Sequence, residues 1–138
     1  MFRISKEMNA DFKYGLELED ALFESVKELY GDDIKKTDTY HPYDYYNANT
    51  FIELKARRCN HNRYPTTMIG KNKIEFAREH PDKMYIFLFK FYDGLYEHIY
   101  QPDNEYLVGI GGRSDRNKLE YKDYIYIPLK DLQFVVVV

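Results

Sequence analysis

The segment Thr50–Ala56 alternates between apolar and charged side chains over most of its length. An alternation with a period of two predicts a β-strand. Ile52 and Leu54 would lie on one face, and Glu53 and Lys55 would project together from the other. Because the apolar face of such a strand must be covered, we expect a helix to pack on it and a cleft to form beside the charged face.

A second strand is predicted over Tyr43–Tyr46, and it should form a hairpin with the first strand. The length of the turn decides whether Asp44 meets Glu53. A turn of two or four residues pairs Asp44 with Phe51 and places both carboxylates on one face. A turn of three residues pairs Asp44 with Ile52 and separates the carboxylates. A site built from both acids therefore requires an even turn or a β-bulge.

The remaining periodicity predicts an α/β fold in which helices flank a mixed β-sheet. One helix is expected over Leu16–Tyr30, ending at Gly31, and another from Thr66 or Thr67 to about Glu79. We find no repeat or composition break, so we expect one domain spanning residues 1–138. Further strands are predicted at Ile34–Tyr40, Met84–Phe91, Leu95–Tyr100, Tyr106–Ile110 and Tyr124–Pro128.

In the first helix, Glu19 differs from the other acids of the same segment. At 100° per residue it projects toward the edge of the apolar stripe, whereas Glu17, Glu24 and Glu28 fall on the opposite, solvated side. Glu19 is therefore the acid of this group that borders apolar residues, and its carboxylate either extends to solvent from the edge of the stripe or reaches into a cleft. The predicted stripe consists of Leu18, Ala21, Leu22, Ser25 and Leu29.

Positive charge is concentrated in one segment, although the net charge of the chain is −3. Between Leu54 and Ile74 there are only basic charged residues and no Asp or Glu. A confined positive field attracts phosphate groups whatever the total charge, although a solvated basic stretch has the same composition. The bases of this segment are Lys55, Arg57, Arg58, Arg63, Lys71 and Lys73.

The composition also predicts where the protein resides. Cys59 is the single cysteine and cannot close an internal disulfide. No apolar run approaches the length of about 20 residues that a membrane-spanning helix needs, and the N-terminus lacks the apolar stretch of a secretory signal. We therefore expect a soluble protein of a reducing intracellular compartment, cytoplasm or nucleus, in a viral or host setting, that does not bind membranes.

The acids of the predicted hairpin suggest a metal site. Two converging carboxylates, Asp44 and Glu53, together with the backbone carbonyl of Leu54, form an oxygen-donor set that suits Mg²⁺. A lysine beside them, Lys55, can orient a water molecule or stabilise negative charge on a phosphate. A surface ion pair between Glu53 and Lys55 would have the same sequence, so the pattern alone leaves both interpretations open.

The strand residues resemble the motif of the PD-(D/E)XK nuclease superfamily. Asp44 stands at the position of the family's aspartate on the first motif strand, and Glu53 and Lys55 match (D/E)XK on the next strand. One departure is visible, because Pro42 lies one residue further from Asp44 than the proline of the family pattern.

The resemblance continues on both sides of these strands and covers roughly Gly15 to Phe91. The segment Gly15–Glu19 fits the Gly-x-x-x-Glu of the family's first helix. Lys73, or alternatively Lys71, lies where the following helix often supplies a lysine or glutamine.

This resemblance implies a restriction-endonuclease-like fold and a metal-dependent deoxyribonuclease, which we expect to be an endonuclease. Asp44, Glu53 and the Leu54 carbonyl would hold one or two Mg²⁺ or Mn²⁺ ions, with Glu19 binding directly or through water. Lys55 would position or activate the attacking water. The catalytic set would be completed by Lys73, which would support Lys55 or grip the scissile phosphate.

The resemblance also implies a nucleic-acid partner, with DNA favoured over RNA. A homodimer is compatible with the sequence, which gives no signal for one. Two alternatives remain: a non-catalytic nucleic-acid-binding module that keeps the nuclease fold, and a protein-interaction domain in which Glu53 and Lys55 form a surface pair. The expected contacts to the phosphate backbone are Arg57, Arg58, Arg63, Lys71 and Arg113.

Overall fold

A computed structural model describes residues 6–38, 40–111 and 122–138 of the chain. Its helices are α1 (Lys6–Tyr30) and α2 (Lys71–Glu79), and a 3-10 turn spans Leu129–Asp131. None of the described helices is long and apolar enough to cross a membrane. The strands are β1 (Lys35–Lys36), β2 (Tyr45–Tyr46), β3 (Thr50–Ala56), β4 (Thr66–Gly70), β5 (Met84–Phe91), β6 (Gly94–Ile99), β7 (Leu107–Gly111), β8 (Lys122–Pro128) and β9 (Gln133–Val136).

Six of the strands form a mixed sheet in the order β1-β2-β3-β5-β6-β9. β3 and β5 are parallel, and the other neighbouring strands are antiparallel. A second, antiparallel sheet has the order β4-β8-β7. The predicted α/β architecture, a mixed sheet flanked by helices, is confirmed.

α1 covers one face of the six-stranded sheet. Leu22 and Val26 of the helix join a buried cluster with Ile52 and Leu54 of β3, so the apolar face of that strand is covered by a helix as predicted. The buried line of the helix is nevertheless rotated from the predicted stripe toward Val26, because Leu29 remains 38% exposed. This rotation brings the face that carries Glu19 toward the sheet.

The second sheet and α2 cover the opposite face. Phe87 and Phe89 of β5 pack there with Ile69 of β4, Ile74 of α2 and Ile125 of β8. The charged face of β3 is therefore overlaid by a second layer along part of its length. Sequence periodicity does not predict this layer.

Three predicted elements differ from the structure in extent. α1 begins at Lys6 and not at Leu16, and the described part of the strand expected at Ile34–Tyr40 is limited to Lys35–Lys36. The second predicted helix is wrong in its first turn. The helix expected from Thr66 or Thr67 begins only at Lys71, and Thr66–Gly70 forms β4 instead. β4 pairs residue by residue with β8, from Thr66 opposite Pro128 to Gly70 opposite Tyr124. Pairing with a strand distant in sequence thus prevails over the local helix signal. The burial of β4 alternates from residue to residue, as it does in a strand with one covered face.

Two glycines with positive φ lie at the bounds of elements, and Gly31 ends α1 as predicted. Gly31 has φ +134° and its N–H donates to the carbonyl of Lys27 at 2.8 Å, which closes α1. Gly94 has φ +149° and follows Asp93 in the turn of the β5–β6 hairpin. Both conformations lie where residues with a side chain are strained.

Candidate active site

Glu53 occupies the centre of β3, next to Phe87 of β5 in the sheet register. Its residue surface is only 3% exposed, because the second layer covers the face on which it lies. The alternation of β3 predicts the face of Glu53 correctly but does not predict this depth. A charged group at such a position requires partners, since burial of an unpaired carboxylate is costly.

The register of the β2–β3 hairpin satisfies the even-turn condition. Tyr45 lies opposite Ile52 and Tyr46 opposite Phe51, with four residues between the last pair. The predicted pairing of Asp44 with Phe51 is therefore wrong by two residues, although its parity is right. Continued by one residue, the observed register places Asp44 across from the next residue of β3, which is Glu53.

Asp44 is fixed to β3 by two hydrogen bonds. Its backbone N–H donates to the carbonyl of Ile52 at 2.9 Å. Its Oδ2 accepts a hydrogen bond from the backbone N–H of Leu54 at 2.7 Å. The Asp44 side chain thus lies along the edge of β3 beside Glu53, and its orientation is set by backbone groups and not by a flexible partner.

α1 brings a third carboxyl group to the same place. Glu19 lies one turn before Leu22 on the buried line of the helix, and its carboxyl group hydrogen-bonds that of Asp44. The hydroxyl of Tyr45 donates to the Glu19 carbonyl at 2.7 Å and thereby attaches this turn of the helix to β2. The contact between Glu19 and the motif strands agrees with the helix geometry of the sequence.

The surroundings of the site disfavour ionisation of two of its carboxyl groups. Burial raises the pKa of Asp44 to about 7, and the hydrogen bond and charge of Glu19 act in the same direction, against the Leu54 N–H and Lys55. Burial also raises the pKa of Glu53 to about 7, with a further contribution from Asp44, against Lys55 and Lys73. Carboxyl groups with raised pKa values in a cleft mark candidate functional sites.

Two lysines flank the Glu53 carboxylate. Lys55 Nζ lies 3.4 Å from Oε1, and Lys73 Nζ lies 3.3 Å from Oε2. The Lys55 side chain is 38% exposed and the Lys73 side chain 14%, so Lys55 reaches the cleft and Lys73 lies behind Glu53. Lys73 also donates to the carbonyl of Pro42, and its own carbonyl accepts a 2.7 Å hydrogen bond from the Tyr43 hydroxyl.

The sequence did not distinguish Tyr43 and Pro42 as partners of the site. Tyr43 is fully buried, as is Tyr45, so neither ring is available to stack on a nucleic-acid base. Both hydroxyls instead hold backbone carbonyls of the helices that carry Glu19 and Lys73. The run of tyrosines before β3 indicates these contacts only in hindsight, because tyrosine is also an ordinary strand residue.

A cleft of about 510 Å³ lies between the middle of α1, from Tyr14 to Glu19, and the C-terminal end of β3. The guanidinium of Arg58 lies 4.2 Å from the ring centroid of Tyr14, a cation–π contact between the two walls. The sequence contains no signal for Tyr14. The lining residues are Tyr14, Gly15, Leu16, Glu19, Asp44, Glu53, Leu54, Lys55, Ala56, Arg57 and Arg58.

The predicted backbone contacts fall into different environments. Arg57 also lines the cleft, but its guanidinium donates to Thr67 Oγ1 and to the carbonyls of Ala56 and Met68. Burial lowers the pKa of Arg57, as expected for a cation surrounded by protein. Its position therefore favours a structural role over a phosphate contact.

The other predicted contacts lie at or beyond the rim. Arg58 is exposed and lines the cleft. Arg63 is exposed in the segment after β3, and its guanidinium is 5.1 Å from the ring centroid of Tyr64. Lys71 Nζ lies 3.8 Å from Glu75 Oε1 on the surface of α2. Arg113 lies outside the described residues.

The donors of the cleft fit a hard cation. Within the described ranges no three Asp, Glu, His or Cys side chains form a ready cluster around one point. Mg²⁺ commonly uses one or two carboxylates and keeps several waters, so Asp44, Glu53 and a backbone carbonyl suffice chemically. Glu53 Oε2 is buried and has Lys73 Nζ as its cationic neighbour at 3.3 Å. Oε1, beside the partly exposed Lys55, is the Glu53 oxygen on the cleft side and would be the one available to a cation.

Comparison with known proteins agrees with the motif. A family model described as "Phage putative PDDEXK endonuclease" matches residues 2–135. No curated protein and no solved structure gives a significant match. The family match includes α1, β2, β3 and α2, the elements that carry Glu19, Asp44, Glu53, Lys55 and Lys73. The chain belongs to this PD-(D/E)XK nuclease family and has the restriction-endonuclease-like α/β fold that membership implies.

Proposed function

We propose that this protein is a divalent-metal-dependent deoxyribonuclease that cleaves phosphodiester bonds within DNA. The observation that supports the proposal is the convergence of Glu19, Asp44 and Glu53 with Lys55 at one cleft, where burial raises the pKa of two of the carboxyl groups to about 7. Ionising several buried carboxyl groups side by side is unfavourable, and such a cluster is typical of a site that functions with a bound cation.

Asp44, Glu53 and the Leu54 carbonyl would hold Mg²⁺ or Mn²⁺, and Glu19 would bind it directly or through water. When bound, the ion supplies positive charge that stabilises a phosphate transition state and lowers the pKa of a coordinated water. The hydrogen bond from the Leu54 N–H keeps Asp44 oriented, and so reduces the reorganisation that ion binding requires.

Lys55 is the group that we assign to the attacking water. Its ammonium is held 3.4 Å from Glu53 and remains partly exposed in the cleft, so it can donate to a water molecule and to a phosphate oxygen together. In the reaction the water oxygen bonds to phosphorus and one P–O ester bond breaks, which leaves a phosphate monoester and a sugar hydroxyl. Lys55 would stabilise the charge that develops on the phosphate.

Lys73 is assigned a supporting role. It is nearly buried and is shared between Glu53 and the Pro42 carbonyl, which holds the Glu53 carboxylate in place. A direct grip on the scissile phosphate is less favoured, since this ammonium lies behind Glu53. Removing it would leave Glu53 with one cationic partner.

Binding of DNA would be largely independent of sequence. Arg58 at the cleft, with Arg63 and Lys71 on the neighbouring surface, would contact the phosphate backbone, with Arg113 as a further candidate. Phosphate contacts position a strand without reading bases, and they weaken steeply as salt increases.

The test is cleavage of supercoiled plasmid and of a branched oligonucleotide in Mg²⁺, Mn²⁺ or EDTA. We expect cleavage with metal, loss in EDTA, and loss in Glu53→Gln. Glu28→Gln, an exposed acid on the solvated side of α1, is the matched control and should cleave normally.

The outcomes separate the proposal from its alternatives. Well-folded protein that binds DNA at low salt but cleaves neither substrate with any metal would identify a non-catalytic binding module. Cleavage that survives both EDTA and Glu53→Gln would exclude this site. Absence of all nucleic-acid binding at low salt would favour a protein-interaction domain.

A further inference from the structure

A second pocket adjoins the cleft and is not used by the proposed chemistry. It has a volume of about 380 Å³, within the range of small-molecule sites. Arg57 lines both cavities, so the two are neighbours at this residue. We call it the base pocket, and its lining includes Asn60, Tyr64, Thr66, Met68, Phe91 and Tyr126.

We propose that the base pocket receives one unstacked base of the substrate strand, so that the enzyme acts preferentially on DNA with unpaired nucleotides beside the scissile bond. This rests on the proposed nuclease function and specifies its substrate class. The occupant is inferred from three features: the shape and chemistry of the walls, the rigidity of the shared wall, and the charge around the mouth.

The walls suit a flat ring with a polar edge. Met68 of β4 lies directly opposite Tyr126 of β8, and Phe91 lines the pocket from the end of β5. These side chains offer apolar surface to the faces of a ring, while Thr66 and Asn60 offer polar groups to its edge. Enzymes that hold an extruded base combine stacking with hydrogen bonds to the base edge in the same way.

The shared wall is rigid. The Arg57 guanidinium is held by Thr67 Oγ1 at 3.2 Å and by the carbonyl of Met68, and it lies 5.8 Å from the ring centroid of Phe89. The cleft and the base pocket therefore keep a fixed relation to each other. A strand with a phosphate beside Lys55 would cross this wall, and a neighbouring nucleotide could then place its base in the pocket.

The mouth carries an aromatic ring and positive charge. Tyr64 is 59% exposed, and the Arg63 guanidinium lies 5.1 Å from its ring centroid. The segment from residue 54 to residue 74 contains no acid, although Asp93 of the β5–β6 turn contacts His61, which lines the pocket. The group at the mouth that complements a polyanion is therefore the Arg63 guanidinium. A base stacked on Tyr64 with its phosphate near Arg63 uses both groups, whereas an uncharged apolar ligand would use neither charge.

The double helix excludes this mode of binding, because paired bases are stacked and turned inward. Single strands, flaps and branch points expose unpaired bases without the cost of extrusion. The base pocket would therefore confer a preference for DNA structure and not for sequence.

The test compares a flap substrate with a fully paired duplex of the same sequence, both cleaved in Mg²⁺. We expect the wild-type protein to cleave the flap at least about tenfold faster in kcat/KM, as one stacked base allows. Tyr64→Ala removes the exposed ring and Thr66→Trp fills the pocket, and both should reduce the ratio toward one while duplex cleavage is retained. Tyr40→Ala, at a tyrosine 95% exposed elsewhere on the surface, should keep the wild-type ratio.

A binding measurement separates failure of this inference from failure of the nuclease assignment. In EDTA, a flap labelled with 2-aminopurine at the unpaired position should change its fluorescence on binding wild-type protein, and not on binding Thr66→Trp. Equal cleavage of flap and duplex, or pocket variants that keep the preference and the fluorescence change, would overturn the inference. Fluorescence change without any cleavage would overturn the nuclease and leave the base pocket supported.

Discussion

Replacing Asp44 by asparagine should make the metal-free protein more stable at neutral and alkaline pH. The ordinary pKa of this carboxyl is 3.8, and burial raises it to about 7. A folded-state pKa above the unfolded value stabilises the fold fully below pH 3.8, and this contribution is lost as the pH rises to about 7. At about 1.4 kcal/mol per pKa unit, the wild-type protein loses roughly 4 kcal/mol over that window through Asp44.

Asparagine removes the cost of ionisation and keeps the contact that positions the side chain. Its amide oxygen can accept the hydrogen bond from the Leu54 N–H, now at 2.7 Å from Asp44 Oδ2. Loss of the charge also removes one of the causes that raise the pKa of Glu53. Allowing for partial exposure of residue 44, we expect the free energy of unfolding of Asp44→Asn to exceed that of wild type by about 2–4 kcal/mol at pH 8.

Urea unfolding in EDTA, followed by tyrosine fluorescence, measures this difference; the chain has 15 tyrosines and no tryptophan. Most of the gain should be absent at pH 4, because the folded state is then protonated at Asp44 and the unfolded state, with a pKa of 3.8, is about half protonated. Addition of Mg²⁺ at pH 8 should stabilise wild type and leave Asp44→Asn nearly unchanged. Asp32→Asn, an exposed acid after α1, controls for the loss of one surface charge.

An Asp44→Asn variant less stable than wild type at pH 8 would contradict a destabilising ionisation of Asp44. A stability difference of the same size at pH 4 and pH 8 would contradict it as well, because a contact that does not titrate produces that result.

Three further predictions concern the cleft. Lys55→Ala should abolish cleavage in Mg²⁺ while circular dichroism and DNA binding are retained; retained cleavage would remove its assigned role. Metal-dependent cleavage should increase as the pH rises through about 7, because Asp44 and Glu53 must ionise to bind the ion. A higher Mg²⁺ concentration should shift the midpoint of this pH profile to lower pH. A flat profile between pH 5.5 and 8.5 would contradict the prediction. Arg57→Ala should lower the free energy of unfolding by about 2–4 kcal/mol in urea titrations, since it removes the hydrogen bond to the Met68 carbonyl. If Arg57 served only to contact phosphate, the substitution would leave the free energy of unfolding unchanged.

The sequence predicted β3, the strand that carries Glu53 and Lys55, better than the elements around it. Period-two alternation placed Glu53 and Lys55 on one face of β3, and the helical angle of Glu19 placed it beside the apolar stripe; both depend only on residues close in sequence. The parity of the hairpin turn was predictable as a requirement of the site. The actual register, two residues from the predicted one, depends on how β2 fits between β1 and β3.

The interpretation of the basic segment from sequence treated all its members alike, whereas the structure separates them. Arg57 is partly buried and donates to the Met68 carbonyl, Lys73 contacts Glu53, and Arg58 lines the cleft. These differences arise when β4 pairs with β8 and the second layer closes over the charged face of β3. Residue type and spacing contain no information on that packing.

Strand alternation and helix angle, which are local properties of the backbone, were enough to predict which face of its element Glu19, Glu53 and Lys55 each occupy. The depth at which Glu53 is buried, the lysine that reaches the cleft and the second pocket lined by Arg57 follow from tertiary packing. The burial of a side chain, and therefore its pKa, depends on which segments pack around it. Those segments are far apart in the chain, so local sequence patterns do not determine their contacts.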